Sequence, residues 1–328
     1  MRRREFLGVL CSMSSAWPLA ARAQQPTRPV VGFLRNARPD EAAHLVAAFR
    51  KGLSETGYVE GRNVLVEYRW TGGQTDQLPS MAADLVNRQV NVIVALGSTP
   101  AVSAAKAATT TIPIVFMLGT DPVELGLVAS LNRPGGNLTG VINLNLQLAQ
   151  KWLEILHQLT PTTTTIALLV NPANRATTEG YIREIETAAR GLGLKIHILH
   201  ANSARDFDMV FASAKERSAG GLVIVADLLF ISNIDRLAAL SLLHSVPAIF
   251  PFREFVAAGG LVSYGTNLAE TYHLAGVYTG RIIKGEKPAD LPVQQATKVE
   301  LIINLQTARM LGLNVAPALL VRADEAIE

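Results

Sequence analysis

The chain has 328 residues, of which 49% are hydrophobic and 17% charged, and its formal net charge is +3. This length suits about two domains, and the composition excludes a largely disordered chain. Because Cys11 is the single cysteine, a fold held together by disulfide bonds is also excluded.

The first residues have the pattern of an export signal. Arg2-Arg3-Arg4 gives a basic start that contains a twin arginine, and a modestly apolar run continues to Ala20. Ala21-Arg22-Ala23 then has the small residues after which signal peptidase cleaves. The apolar run is shorter than the ~20 residues of a membrane span and is interrupted by a proline. We therefore expect 1–23 to be a cleaved signal of the twin-arginine type and the mature protein to be periplasmic.

Removal of this segment changes the charge balance of the chain. The segment holds four arginines and one glutamate, so the remaining residues carry equal numbers of basic and acidic groups. Proteins that bind nucleic acids normally need a clustered basic surface. We therefore expect no nucleic-acid partner.

Strands and helices alternate through the first half of the chain. Short apolar runs predict strands, and amphipathic segments between them predict helices. The predicted strands cover 30–34, 63–69, 92–96, 113–118 and 138–142, and the predicted helices cover 40–57, 74–88 and a short alanine-rich segment from Pro100. This alternation predicts an α/β fold with a doubly wound, Rossmann-like parallel sheet.

Two strands of this first set end in polar turns that predict a binding site. Gly97-Ser98-Thr99-Pro100 follows one strand, and Gly119-Thr120-Asp121-Pro122 follows the next. Ser98 or Thr99 suits a helix cap with Pro100 in the first turn, and the second turn repeats this pattern. We therefore expect two helix N-termini to face one crevice at the carboxyl edge of the sheet, where backbone N–H groups favour an anion.

The second half of the chain repeats the same alternation. Its predicted strands cover 165–170, 194–199, 221–225, 247–250 and 261–264, and its predicted helices cover 146–159, 175–190, 204–218, 232–244 and a short segment after Arg253-Glu254. The tail, with helices at 267–284 and 304–313 and a strand at 298–303, is too small for a third core. We expect it to complete two lobes that a multi-strand hinge joins around a ligand cleft.

The expected lobe boundaries follow from this arrangement. The N-terminal lobe takes 28–143 plus about 268–296, and the C-terminal lobe takes 144–267 plus about 297–318.

Several motifs resemble those of one known family. They are Ile112-Pro113-Ile114-Val115-Phe116, Asp121-Pro122-Val123, Gly126-Leu127-Val128 and Arg133-Pro134-Gly135-Gly136-Asn137-Leu138-Thr139-Gly140. Together they resemble the tryptophan/tyrosine-type substrate-binding proteins of ABC transporters, and the likeness extends from Pro29 to about Leu313. The resemblance implies a type I periplasmic binding-protein fold and a small-molecule ligand, an aromatic amino acid in characterised relatives. It also implies delivery to an ABC permease in the inner membrane that has a separate ATPase.

Residues in the loops that follow strands are the candidate ligand contacts. An α-amino acid needs donors for its carboxylate, which Ser98 and Thr99 at a helix N-terminus can supply, and a carboxylate for its ammonium group. Asp121, Asp227 and Glu254 are the candidates for that carboxylate. The full candidate set is Arg35, Asn36, Ser98, Thr99, Thr120 and Asp121 in the first lobe and Asn171, Asn174, Asp227, Arg253, Glu254 and Tyr264 in the second.

Each of these residues also has a purely structural interpretation. Ser98, Thr99, Asp121 and Asp227 suit helix caps, and Asn171 before a proline suits a turn. Arg253 and Glu254 can pair with each other at the surface, and Tyr264 can be a packed core ring.

Two alternatives to a transport protein remain open from the sequence. The first is a sensor subunit that binds the same ligand but signals instead of feeding a permease, and no residue pattern distinguishes it from a transport protein. The second is an exported α/β enzyme. The sequence lacks the nucleophile-elbow, phosphate-loop and His-Glu-x-x-His motifs. His197 and His200 lie on opposite faces of one predicted strand. We therefore expect no enzymatic activity, no cofactor and no metal site.

Overall fold

The computed structural model describes residues 28–143 and 145–328, so the predicted export signal at 1–23 lies outside the described residues. Among the described helices, none combines the length and the apolar character that crossing a membrane requires. The strands are β1 (Val30–Arg35), β2 (Leu65–Trp70), β3 (Val92–Leu96), β4 (Ile114–Leu118), β5 (Leu138–Ile142), β6 (Thr165–Val170), β7 (Lys195–His200), β8 (Leu222–Ile224), β9 (Ala248–Phe250), β10 (Val262–Thr266), β11 (Gln294–Gln295), β12 (Val299–Asn304) and β13 (Glu325–Ile327).

Helices alternate with these strands. They are α1 (Ala43–Glu55), α2 (Leu78–Asn87), α3 (Thr99–Ala108), α4 (Ala149–Leu159), α5 (Arg175–Leu192), α6 (Phe207–Glu216), α7 (Leu228–Ile231), α8 (Ile234–Leu243), α9 (Arg253–Ala257), α10 (Leu268–Ile283), α11 (Leu305–Met310) and α12 (Pro317–Leu320). Short 3-10 turns precede α1, α2, α4 and α6.

Lobe 1 is built on a six-stranded sheet with the order β11-β5-β4-β3-β1-β2, in which every pairing is parallel. Its central strands are uniformly apolar because helices cover both faces. Val94 of β3 belongs to the core on the α1 and α10 side, whereas the neighbouring Ile93 belongs to the core on the α2 and α3 side. The continuous apolar run predicted at 92–96 is confirmed as a strand buried on both faces.

Lobe 2 is built on a seven-stranded sheet with the order β13-β12-β10-β9-β8-β6-β7. The part β7-β6-β8-β9-β10 repeats the order β2-β1-β3-β4-β5 of lobe 1. The predicted parallel sheets are confirmed for the described strands apart from β12, which pairs antiparallel with β10. The antiparallel strand arises because the chain returns from lobe 1 before it forms β12.

The chain crosses between the lobes after β5, after β10 and after β11, which makes a multi-strand hinge. Helix α10 follows a strand of lobe 2 but packs against α1 and against β3, β4 and β5 of lobe 1. Hydrogen bonds link the crossings: Thr266 Oγ1 donates to Asn145 Oδ1 at 3.4 Å, and Thr271 Oγ1 donates to Asn143 Oδ1 at 3.2 Å. The two-lobe α/β architecture predicted from the sequence is therefore confirmed.

The second of the two predicted helix caps is wrong. No helix begins after β4, and residues 119–137 form turns instead. Asp121 Oδ1 accepts a hydrogen bond from the Val123 amide at 2.7 Å, which closes an Asx turn rather than a helix. Pro122 and Gly126 lie in the segment where a helix would have to continue, and they favour turns. Of the loops after β3 and β4, the first alone leads into a helix whose N-terminus faces the crevice, namely α3.

The tail contains three elements that the sequence patterns did not predict. β11 has two residues, β13 has three and α12 has four, so none is long enough to show a period of its own. The two strands exist because a neighbouring strand supplies their hydrogen-bond partners: β5 pairs with β11 and β12 pairs with β13.

Helices α1 and α10 approach closely at glycines. A Cβ atom added at Gly276 of α10 would lie 2.1 Å from the carbonyl oxygen of Phe49 in α1. A Cβ atom at Gly52 of α1 would likewise lie 1.9 Å from the carbonyl oxygen of His273. The backbones therefore contact each other directly, and this contact anchors α10, which leaves the hinge, to lobe 1.

We expect Gly276→Ala to lower the free energy of unfolding by about 1–3 kcal/mol or more, because the helices must separate to admit the methyl group. Denaturant unfolding followed by circular dichroism measures this change. Gly191→Ala in α5 is the matched control, because nothing lies within 4 Å of the added Cβ. The control should be neutral or more stable by up to about 1 kcal/mol. An unfolding free energy for Gly276→Ala equal to that of wild type would contradict the close packing.

Candidate ligand-binding site

A cavity of about 720 Å³ lies between the lobes, lined by loops at the carboxyl ends of strands from both sheets. Strand order reverses between β1 and β3 in lobe 1 and between β6 and β8 in lobe 2. Open α/β sheets bind ligands at such switch points. The loops after these four strands bring Asn36, Ser98, Asn171 and Asp227 into the lining. The cavity therefore joins the switch points of both sheets in one cleft.

The N-terminus of α3 forms part of the lobe 1 wall. Ser98 has extended backbone angles and its Oγ accepts a hydrogen bond from the Ala101 amide at 3.3 Å, so the predicted cap is confirmed. The first amides of a helix have no partner within the helix and carry the positive end of its dipole. Pro100 has no N–H and the Ala101 amide already donates to Ser98, so this wall offers the Thr99 amide and the Ser98 and Thr99 hydroxyls to a negatively charged group.

Gly97, directly before this cap, cannot carry a side chain without strain. Its φ of 87° lies in the left-handed region, and an added Cβ would lie 3.4 Å from the hydroxyl oxygen of Tyr272. Glycine therefore lets the turn reach the cleft while Tyr272 packs directly behind it.

Asn36 and Thr120 complete the predicted part of the lobe 1 wall. Asn36 Nδ2 donates to Thr75 Oγ1 at 2.9 Å, and its Oδ1 accepts a hydrogen bond from Thr71 Oγ1, so the amide is held in place. Thr120 also lines the cleft, and its buried Oγ1 has no hydrogen-bond partner among the described residues. Buried hydroxyls are normally hydrogen-bonded. Because this hydroxyl has no described partner, it is available to a ligand.

Asp227 is the centre of the lobe 2 wall. Its Oδ1 accepts hydrogen bonds from Asn171 Nδ2 and from the Leu229 amide, both at 2.9 Å, and its Oδ2 accepts one from Asn174 Nδ2 at 3.3 Å. Asp227 is 8% exposed, and no ion pair of the described residues includes it. A carboxylate has about four acceptor positions, so this cluster can still accept from a ligand cation. Three residues predicted as separate contacts thus form one cluster.

Charge is sparse in the described cleft lining and is divided between the lobes. Arg38, in the loop after β1, is the cationic side chain of the lining, and Asp227 is its carboxylate. Burial raises the pKa of the adjacent Tyr181 above its ordinary value, and the negative charge of Asp227 raises it further. Tyr181 is therefore a neutral hydroxyl beside the carboxylate. Opposite charges on the two walls complement a zwitterion.

Asp121, Arg253 and Glu254 lie outside the lining, although they are also predicted contacts. Asp121 closes the turn after β4. Arg253 Nη2 donates to Glu325 Oε2 of β13 at 2.7 Å. Glu254 Oε1 lies 3.1 Å from His44 Nε2 of α1, so this pair links the two lobes without contact with the cavity. Their chain neighbours Thr120 and Phe252 do line the cavity, so these three residues lie just beyond the part of each loop that reaches it.

Arg35 and Tyr264 are the other predicted contacts that the cavity lining does not include. Arg35 is 3% exposed and its guanidinium lies in the interior of lobe 1, where Nη1 donates to the Tyr272 hydroxyl. Tyr264 lies on β10, where its carbonyl accepts a hydrogen bond from Trp152 Nε1 at 2.6 Å and its ring packs against the core. The core-ring interpretation of Tyr264 is therefore the one that fits the structure.

The cleft is also lined by polar residues that the sequence patterns did not select. Asn143 directly follows β5 and Asn202 follows β7, so the end of a strand is the signal that could have identified both. Arg38 lies in the loop after β1, so the same signal applies to it. The remaining residues reach the cavity through the hinge or through helix turns, which the sequence does not reveal: Thr75, Asn145, Thr177, Ser232 and Asn233.

Two α/β lobes, with a polar cleft at the switch points of both sheets, define the type I periplasmic binding-protein fold. Residues 38–327 match the family described as "ABC transporter substrate binding protein", and the chain belongs to that family. The family resemblance of the sequence motifs is therefore confirmed.

Individual relatives agree with this assignment. The chain is 26% identical over 266 residues to a "Tyrosine-binding protein" of Clostridioides difficile strain R20291, covering 81% of this chain and 75% of the relative. A crystal structure of a conserved domain protein from Vibrio cholerae has a TM-score of 0.83 and 25% identity, covering 91% and 99% of the two chains. The ABC domain from Streptococcus pneumonia in complex with L-Trp has a TM-score of 0.81 and 24% identity, covering 92% and 100%.

Asp227→Ala should lower the free energy of unfolding by about 1–3 kcal/mol, because two amide groups and the Leu229 amide lose their acceptor. Asp227→Asn retains an oxygen at this position and should cost less. Urea unfolding of both variants measures the difference. Equal unfolding free energies for Asp227→Ala and wild type would show that the cluster does not stabilise lobe 2.

Proposed function

We propose that the chain is an exported solute-binding protein that captures an amino acid between its lobes and delivers it to an ABC importer. The observation that carries this proposal is the polarity of the cleft: the α3 N-terminus lies on one wall and the hydrogen-bonded Asp227 carboxylate lies on the other. An α-amino acid has the matching pair of charges. Its carboxylate occupies the Ser98 and Thr99 turn, and its ammonium group occupies the Asp227 cluster.

Binding to both walls couples capture to lobe closure. A ligand shifts a conformational equilibrium by its difference in affinity for the two states, so a ligand held by a single lobe would not close the cleft. In this proposal Ser98 and Thr99 serve as donors in lobe 1, and Asn171, Asn174 and Asp227 serve as acceptors and orienting groups in lobe 2. The segments 28–143 with 268–296 and 144–267 with 297–318 move as the two bodies about the hinge.

An apolar or aromatic side chain suits the remainder of the cavity. The volume of about 720 Å³ lies within the range of about 300–1,000 Å³ typical of small-molecule sites. Met117 and Leu118 of lobe 1 and Leu229 and Ile231 of lobe 2 supply its apolar lining. The C. difficile relative is called a tyrosine-binding protein, and the S. pneumonia structure holds L-Trp. We therefore propose an aromatic amino acid as the ligand.

Export and partners complete the proposal. The segment 1–23 acts as a twin-arginine signal, so the mature chain is periplasmic and presents its ligand to a permease in the inner membrane with a separate ATPase. Capture and release need neither a cofactor nor an enzymatic step.

A thermal-shift screen of the mature chain tests this function. The common L-amino acids and a panel of unrelated metabolites are added one at a time, and the unfolding temperature is recorded. A ligand at 100 times its Kd stabilises a folded protein by about 2.7 kcal/mol, so an aromatic amino acid should raise the unfolding temperature clearly. The proposal fails if no amino acid stabilises the fold, and turnover of one of the metabolites would then indicate an enzyme.

Asp227→Asn should weaken binding of the stabilising amino acid by about 10-fold or more, because a hydrogen bond between charged groups loses its negative partner. Calorimetric titration measures the Kd. Asp121→Asn is the matched control, since it makes the same charge change at the rim outside the lining and should stay within about 3-fold of wild type. Equal losses in the two variants would refute the assignment of the ammonium group to Asp227.

A further inference from the structure

Arg35 is a buried cation whose charge no carboxylate of the described residues neutralises. It ends β1, is 3% exposed and takes part in none of the described ion pairs. Its Nε is buried and has no hydrogen-bond partner among the described residues. A guanidinium keeps its proton in proteins, so this position carries a permanent positive charge.

A neutral side chain provides the described contacts of this guanidinium. Arg35 Nη1 donates to the hydroxyl of Tyr272, and the Arg35 Cζ lies 5.2 Å from the centroid of the Tyr272 ring. A tyrosine offers a dipole and a π face but no full negative charge. Because an unpaired buried charge is costly, retention of an arginine here calls for a compensating negative group.

Tyr272 connects this charge to the wall of the cleft. Its hydroxyl oxygen lies 3.4 Å from the position that a Cβ would take on Gly97, and Gly97 lines the cavity directly before the cap of α3. Asn36, the chain neighbour of Arg35, also lines the cavity. The guanidinium therefore lies behind the same wall that contains the N-terminus of α3.

We propose that Arg35 is the buried counter-charge for the carboxylate of the ligand, and thereby a specificity-determining residue that acts without contact. This inference rests on the proposed function, because it assigns a further group to the same cleft. The charge of Arg35 and the dipole of α3 act on one point of the wall, and the protein interior screens them less than water does. The cleft consequently selects molecules that carry a carboxylate over their amides.

Titrations with L-tryptophan and with L-tryptophanamide test this assignment, because the two probes differ in the carboxylate alone. The wild type should bind the acid at least about 10-fold more tightly than the amide. Arg35→Met removes the charge, and a buried ion can often be replaced by an apolar residue without loss of stability. This variant should lose about 10-fold or more in affinity for the acid and less than about 3-fold for the amide. Arg35→Gln replaces it if Arg35→Met does not fold.

Two variants that keep the positive charge distinguish the electrostatic effect of Arg35 from the effect of its packing. Arg35→Lys and Tyr272→Phe both keep a cation behind the wall and should retain most of the preference for the acid. If the amide binds too weakly to measure, loss of L-tryptophan binding in Arg35→Met with retention in Arg35→Lys supports the proposal. The inference is overturned if the wild type binds both probes with equal affinity. It is also overturned if Arg35→Met loses affinity equally for both probes, and either result leaves the proposed function intact. A wild type that binds no amino acid overturns the proposed function itself.

Discussion

Parallel pairing places the carboxyl ends of β1 and β3 at one edge of the first sheet, and the chain leaves these two strands toward opposite sides. The crevice between their loops is a consequence of strand order and not of any single side chain. β6 and β8 create the same crevice in lobe 2, and the hinge joins both crevices in one cleft. The topology therefore places the loops after these four strands at the cleft.

The strands were the most predictable part of the fold. Buried parallel strands read as continuous apolar runs, so 92–96, 138–142 and 165–170 agree with β3, β5 and β6 at both ends. The helix expected after β4 was wrong because Asp-Pro serves equally as a helix cap and as an Asx turn. The residues that follow decide between these structures, and here they do not continue a helical period.

The candidate site was predictable where a loop follows a strand at a switch point. Ser98 and Asp227 satisfy this condition, and their chemistry as caps also places oxygen and N–H groups at the cleft. Arg253 and Glu254 could not be excluded from the sequence, because their partners lie in distant segments of the chain. Burial of Arg35 behind the wall was equally hidden, since it depends on packing of α10 from beyond the hinge.

Hydrogen–deuterium exchange with and without a saturating amino acid tests most directly whether both lobes hold the ligand. We expect slower exchange at the start of α3 in lobe 1 and, at the same time, around Asp227 and α7 in lobe 2. Slower exchange in one lobe alone would contradict the two-wall account. So would protection confined to the separate surface cavity near Arg62 and Lys287.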